Sequence, residues 1–132
     1  MTDRDDIFDL TVRYATAIDS HHYALLKDVF TEDAELDYGE IGHWFGGAEV
    51  AEFMERAHAF AAHTMHRMSN QAIAIDGDTA TVRTYVDALI LLEDGTGANP
   101  VGHYDDVAVR TDAGWRIRRR TYTSIRLAAV GK

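Results

Sequence analysis

The chain contains no cysteine and a single proline, Pro100, among its 132 residues. Without thiols there can be no disulfide framework, no thiolate metal site and no cysteine nucleophile, a composition that suits a reducing cytoplasm. Basic residues are also scarce: 13 Lys and Arg stand against 22 Asp and Glu, a formal charge of −9. Phosphate backbones are held by basic surfaces, so nucleic acid is not an expected partner. The one arginine cluster, WRIRRR from Trp115 to Arg120, has the period of a strand with arginines alternating across two faces. Long apolar runs are missing as well, and none approaches the ~20 residues of a membrane-spanning helix. The opening MTDRDDIFDL is too acidic for a secretory signal, so no membrane association is expected. What is present, 46% hydrophobic and 27% charged residues, is the composition of a globular chain rather than a disordered one. We read residues 1–132 as a single domain large enough to bury a core, without linker, repeat or low-complexity tract.

The first half has helical periodicity. A helix is expected from about Asp5 to Ser20, with Thr2 or Asp3 as its cap, and a short second helix over YALLKDVF, where Tyr23, Leu26 and Phe30 recur at helical spacing. TEDAELDYGE changes period: Ala34, Leu36 and Tyr38 alternate with acidic residues and predict a short strand. IGHWFGG reads as a glycine-rich loop in which His43 and Trp44 could form a lid or meet a partner subunit. Gly47 to Phe60 reads as a third helix carrying Val50, Phe53, Met54 and Ala57 on one side. The second half reads as strands: HTMHRMSNQAIAID, a turn at Gly77, TATVRTYVDALILLE, a loop DGTGANP, VGHYDDVAVRT, a turn at DAG, and WRIRRRTYTSIRL. Helices followed by an antiparallel meander imply an α+β domain, with helices over one face of a curved sheet. Such a sheet leaves a closed-ended pocket beneath it.

Within the first helix, Asp19 is out of place. Winding Ile7 to Asp19 at roughly 100° per residue puts Ile7, Leu10, Tyr14, Ala17 and Ile18 on one apolar stripe. Phe8, Val12 and Ala15 make a second stripe beside it, and Asp19 continues that second stripe. The polar arc of Asp5, Asp6, Asp9, Arg13 and Thr16 lies elsewhere. Asp19 is therefore expected to turn inward.

The segments RYATAIDSHHYALLKDVFTEDAELDY, GGAEVAEF, HTMHRMSN, IDGDTATV, GHYDD and GWRIRRR, in that order over nearly the whole chain, resemble the SnoaL-like branch of the nuclear transport factor two-like superfamily. The resemblance implies a cone-shaped α+β barrel: three N-terminal helices packed against a strongly curved antiparallel or mixed sheet, with an apolar pocket inside. Within that superfamily the chain looks most like the group of scytalone dehydratase, bile-acid dehydratases and hexachlorocyclohexane dehydrochlorinase. That likeness marks Asp19 at the end of the first helix and His66 at the start of the first long strand as catalytic. It adds Tyr14, five residues before Asp19, Tyr38 in the first short strand, and Arg120 late in the last strand. It also implies a small apolar substrate, no cofactor and no metal, and we expect a homodimer or homotrimer.

These residue types suit an elimination beside a carbonyl. Imidazole ordinarily titrates near pH 6.5, so a neutral His66 could remove a carbon-bound proton and return it to a leaving hydroxyl. Asp19 could fix the ring's tautomer and stabilise the imidazolium. Tyr14 and Tyr38 are phenols that stay protonated and can donate to an enolate oxygen. Taken singly, each residue has a plainer role. An aspartate near a helix end is ordinarily a cap, a histidine opening a strand ordinarily structural, a tyrosine on an apolar stripe ordinarily core. A one-residue bulge would also exchange the face of Arg120. His63 and His66, three apart on a strand, fall on opposite faces and match no zinc signature, and the histidines at 21, 22 and 58 complete none. His103 and Tyr104 are candidates for the pocket wall. The leading expectation is a cofactor-independent, dehydratase-type lyase. The alternatives are an isomerase or cyclase using the same base on a polyketide- or steroid-like ligand, and a non-catalytic ligand-binding or assembly domain.

Overall fold

The computed structural model describes residues 2–131. Helix α1 spans Asp3–Asp19 and begins in a capping box: the Asp5 amide donates to the Thr2 hydroxyl at 3.2 Å and the Thr2 amide donates to the Asp5 carboxylate at 3.1 Å. The main stripe is buried as its spacing predicts, with Ile7, Leu10, Tyr14, Ala17 and Ile18 all in the core. The second stripe behaves differently. Phe8 and Val12 are 47% and 42% exposed, and only the C-terminal end of the stripe, Ala15 and Asp19, is half-buried. The expectation that Asp19 turns inward holds, but not because its stripe is a core face. The main stripe is buried along the whole helix, whereas the second stripe is drawn in only at its C-terminal end. There the chain reverses at once, with His21 at φ 61° and the His22 amide donating to the Ala17 carbonyl.

The expected short second helix is a 3₁₀ helix, Tyr23–Asp28, which ends two residues before Phe30. It has no side-chain cap, and the strand claims its end: the Ile117 amide donates to the Val29 carbonyl at 2.8 Å and strand β1, Phe30–Asp37, starts at the next residue. The glycine-rich segment is not merely a loop. It holds a 3₁₀ turn, Gly39–Ile41, and strand β2, His43–Phe45, which pairs antiparallel with β1. Helix α2 follows over Gly46–Ala57, shorter at its end than the predicted third helix. Strands β3 (His63–Asp76), β4 (Thr79–Leu91), β5 (Gly97–Thr111) and β6 (Gly114–Val130) complete the chain. β5 begins inside the expected loop because Gly97 lies so close to β4 that a Cβ there would overlap the Ile90 carbonyl.

The six strands form one mixed, curved sheet in the order β2-β1-β6-β5-β4-β3. β3 to β6 are an antiparallel meander, and β1 joins β6 in parallel. One face alternates inward, as in Ala80, Val82, Thr84, Val86 and Ala88 of β4, and packs on Ile7, Leu10 and Ile18 of α1 and on Val50 and Met54 of α2. A bulge sets what β6 contributes. Ile117 pairs with Ala108 but Arg119 pairs with Val107, so Arg118 is an extra residue and the parity of β6 changes across it. Trp115 and Ile117 face inward before the bulge, and Arg120 does so after it.

Candidate active site

Asp19 is the last residue of α1 and meets the first turn of pairing in β3. The His66 ring donates from Nδ1 to Asp19 Oδ1 at 2.7 Å, the His66 amide donates to Asp19 Oδ2 at 2.8 Å, and the Thr64 hydroxyl donates to Oδ1 at 2.9 Å. Partial burial works to raise the carboxyl's pKa, but these three bonds and the nearby imidazole outweigh it, so Asp19 lies below its ordinary value of 3.8 and is ionised. A carboxylate can only accept, which places the ring proton on Nδ1 and leaves Nε2 with its lone pair. The His66 side chain is 8% exposed and that of Asp19 24%. His63 lies on the opposite, exposed side of β3, as its spacing predicts.

His66 opens into a cavity of about 190 Å³ between the sheet and α2. Its polar wall carries Tyr14 and Tyr38, whose hydroxyls share one hydrogen bond of 2.9 Å, so one phenol donates to the other and the second retains a proton to offer a ligand. Burial pushes both phenols well above their ordinary pKa of 10.0, and they stay protonated. Tyr104 and Tyr122, directly opposite each other on β5 and β6, also line the cavity, and apart from His58 the remaining wall is apolar, including Phe53, Met54 and Val86. Tyr14 stands edge-on to the His66 ring with centroids 6.3 Å apart. A base with a fixed tautomer, two phenol donors and a dry wall can remove a proton from carbon and hold the enolate that results.

Arg120 does not reach this cavity, contrary to the expectation that it joins the other four. The Arg118 bulge turns it inward, but Asp106, its direct partner across β5 and β6, takes it in two bonds: Nε and Nη2 each donate to a carboxylate oxygen at 2.9 Å. The pair is sealed, with side chains 0% and 1% exposed. The guanidinium lies 3.9 Å from the Tyr104 ring centre and 4.5 Å from that of Tyr14, so it stands behind the tyrosine wall as a cation against π faces. Burial works against its charge, but Asp106 and the surrounding phenols hold its pKa well above the ordinary guanidinium value.

Trp44 is not a lid: it is buried, its ring 4.3 Å from that of Phe53, while exposed His43 pairs with Glu35 at 2.9 Å. Ile41, from the 3₁₀ turn before them, lines the cavity instead. Of the adjacent pair, Tyr104 faces in and His103 faces out towards Asp105. Sequence reasoning missed Thr64, Asp106 and His58. The inward alternation of Tyr104 and Asp106 in GHYDD was the available signal for Asp106. Thr64, two residues before His66 on the same face, could have been named by parity.

Comparison with known proteins follows this geometry. A family model described as the SnoaL-like domain matches residues 1–121. An uncharacterised protein of Mycobacterium tuberculosis is 33% identical over 126 residues, which cover 93% of this chain and 86% of that protein. A solved structure from Novosphingobium aromaticivorans, provisionally described as an aromatic ring hydroxylase, is similar at 35% identity and a TM-score of 0.87, covering 96% of this chain and 92% of that one. A second structure from the same organism, provisionally described as a scytalone dehydratase, shares the fold at a TM-score of 0.86 and 24% identity, over 95% of this chain and 85% of that one.

Proposed function

Because the chain belongs to the SnoaL-like domain family, we propose that it is a cofactor-independent lyase that eliminates water from a small apolar carbonyl compound. The observation that carries the reading is the 2.7 Å bond from His66 Nδ1 to Asp19, on an imidazole that lines a cavity beside the Tyr14–Tyr38 pair. His66 Nε2 takes the proton from the carbon next to the carbonyl. The electron pair moves into the carbonyl, whose oxygen accepts a hydrogen bond from the free phenol proton. As the enolate collapses, the C–O bond at the β carbon breaks, the departing hydroxyl takes the proton from Nε2 and leaves as water, and the protein is unchanged. Asp19 stabilises the transient imidazolium. Arg120 acts from behind the tyrosine wall, through its charge on Tyr14, Tyr38 and Tyr104, and no cofactor enters the sequence of steps. A homodimer or homotrimer is part of the same proposal.

The cavity sets the size of the substrate. A hole of ~150 Å³ accepts benzene, so about 190 Å³ holds one substituted ring. The test is a panel of single-ring β-hydroxy and β-halo carbonyl compounds incubated with the protein and followed by mass. Loss of water or hydrogen halide is expected, and it should vanish with His66→Gln. Near-normal turnover by that variant would remove His66 as the base. An unchanged mass with a shifted double bond would favour isomerisation, and a gain of oxygen would favour the hydroxylation named for the Novosphingobium structure.

A further inference from the structure

One cavity residue has no part in the steps above. His58 caps the C-terminus of α2 and is buried, yet it lines the same cavity as His66, with the two ring centres 6.3 Å apart. Its Nδ1 lies 2.8 Å from the Met54 carbonyl. A carbonyl can only accept, so Nδ1 carries the proton and donates it to the helix end. Its other face stacks on Tyr23, at 6.2 Å and 28° between planes. Ring position, tautomer and tilt are therefore all set by the protein. Nε2 is left as a lone-pair acceptor with no hydrogen bond to any described residue. Burial, the largest influence, holds the ring below its ordinary pKa, which keeps it neutral.

A neutral imidazole in this tautomer cannot protonate a leaving group through Nε2, nor does it need to, since His66 brings its own proton. What it can do is accept a hydrogen bond from a ligand. The polar wall of the cavity is thereby divided by sign: phenol donors at Tyr14 and Tyr38, imidazole acceptors at His66 and His58. Among the described residues, no lysine or arginine side chain lines it. A carboxylate or phosphate would find no cation there, and a ligand without a donor would leave the His58 acceptor unpaired in a largely apolar site.

We propose that His58 determines specificity, accepting a hydrogen bond from a substrate hydroxyl that is retained through the reaction. The substrate is then an uncharged single-ring carbonyl compound with a hydroxyl group besides the one that departs. This rests on the lyase reading of the same cavity and adds the substrate class to it. The experiment reads binding rather than turnover, so the two can fail separately. Acetophenone and its 2-, 3- and 4-hydroxy isomers, none with a leaving group, are titrated calorimetrically into the wild type, His58→Phe and His58→Asn. His58→Asn keeps a donor for the Met54 carbonyl, and near-UV circular dichroism reports folding of each variant. The best hydroxy isomer should bind the wild type about tenfold tighter than acetophenone, the worth of one net hydrogen bond. In both variants that ratio should fall to near one. A ratio that survives in a folded variant overturns the proposal, as does a wild type that binds no hydroxy isomer better than acetophenone or binds none of them. A His58-dependent preference in a protein without turnover would instead retire the lyase reading and leave this one standing.

Discussion

Two carboxylates leave bulk water in this protein, and each is met by a nitrogen-bearing side chain on the sheet. Asp19 comes from a helix end and takes the ring and amide of His66 and the hydroxyl of Thr64. Asp106 comes from the neighbouring strand and takes two guanidinium nitrogens of Arg120, its direct partner in the ladder. The first pair borders the cavity, and its partner is an imidazole, which can take up and give back a proton. The second is sealed, and its cation is permanent because a guanidinium does not deprotonate in a protein. The same attraction thus does different work. Where the charge is reversible it can carry a proton through a reaction, and where it is fixed it can only hold a wall in place.

That contrast can be broken most forcefully at the sealed pair. Asp106→Ala leaves Arg120 buried without its counter-charge, and stability should fall by about 3–5 kcal/mol. Urea denaturation measures this, and a loss below ~1 kcal/mol would mean that the pair is not structural. Replacing both members, Asp106→Leu with Arg120→Met, should recover much of the loss, because no unpaired charge remains. At the cavity the effect should move from stability to rate. Asp19→Asn can no longer fix the His66 tautomer, and turnover of any substrate found by the mass screen should drop on the order of 10²-fold while the protein stays folded. A variant that lost fold and rate together would erase the distinction between the two sites.

The smallest effect should be in acid. Asp19 titrates below 3.8 in the folded protein and nearer that value when unfolded, so the unfolded chain binds more protons between the two values. The stability that Asp19 contributes is full above about pH 4 and is lost as pH falls through its folded pKa. Thermal melts from pH 7 to pH 2 should therefore show the gap between wild type and Asp19→Asn narrowing only below about pH 4. A gap that is constant down to pH 2 would show that the Asp19 bonds do not favour its ionised form.

The legible and illegible parts of the molecule divide along physical lines. The bounds of β3 were readable to the residue because alternation runs on either side of an irregularity between Ser69 and Ala72, and a positive-φ glycine, Gly77, marks its end. Asp19, His66, Tyr14 and Tyr38 were readable because the chain resembles a family, while helical periodicity gave the right direction for Asp19 on partly wrong grounds. Phe8 and Val12 share its stripe and are exposed, so that stripe is covered only at its C-terminal end. The position of Arg120 depended on whether a bulge precedes it, and nothing in WRIRRR says where an extra residue will be accommodated. β2 was hidden by the glycines around it and by its length of three residues. His58 escaped because its role depends on a backbone carbonyl and a stacked ring, neither of which leaves a pattern in the sequence.

The extra residue at Arg118 makes the last strand a counting device. Its exposed residues, Arg118 and Arg119, are free to change identity, but the distance from Trp115 to Arg120 is not free to change by one. Excising a single residue there would leave the tryptophan anchored and rotate everything downstream by half a turn, sending the guanidinium to solvent and a threonine into the place of Tyr122. A point deletion far from His66 would then dismantle the cavity from behind, where many substitutions would leave it intact.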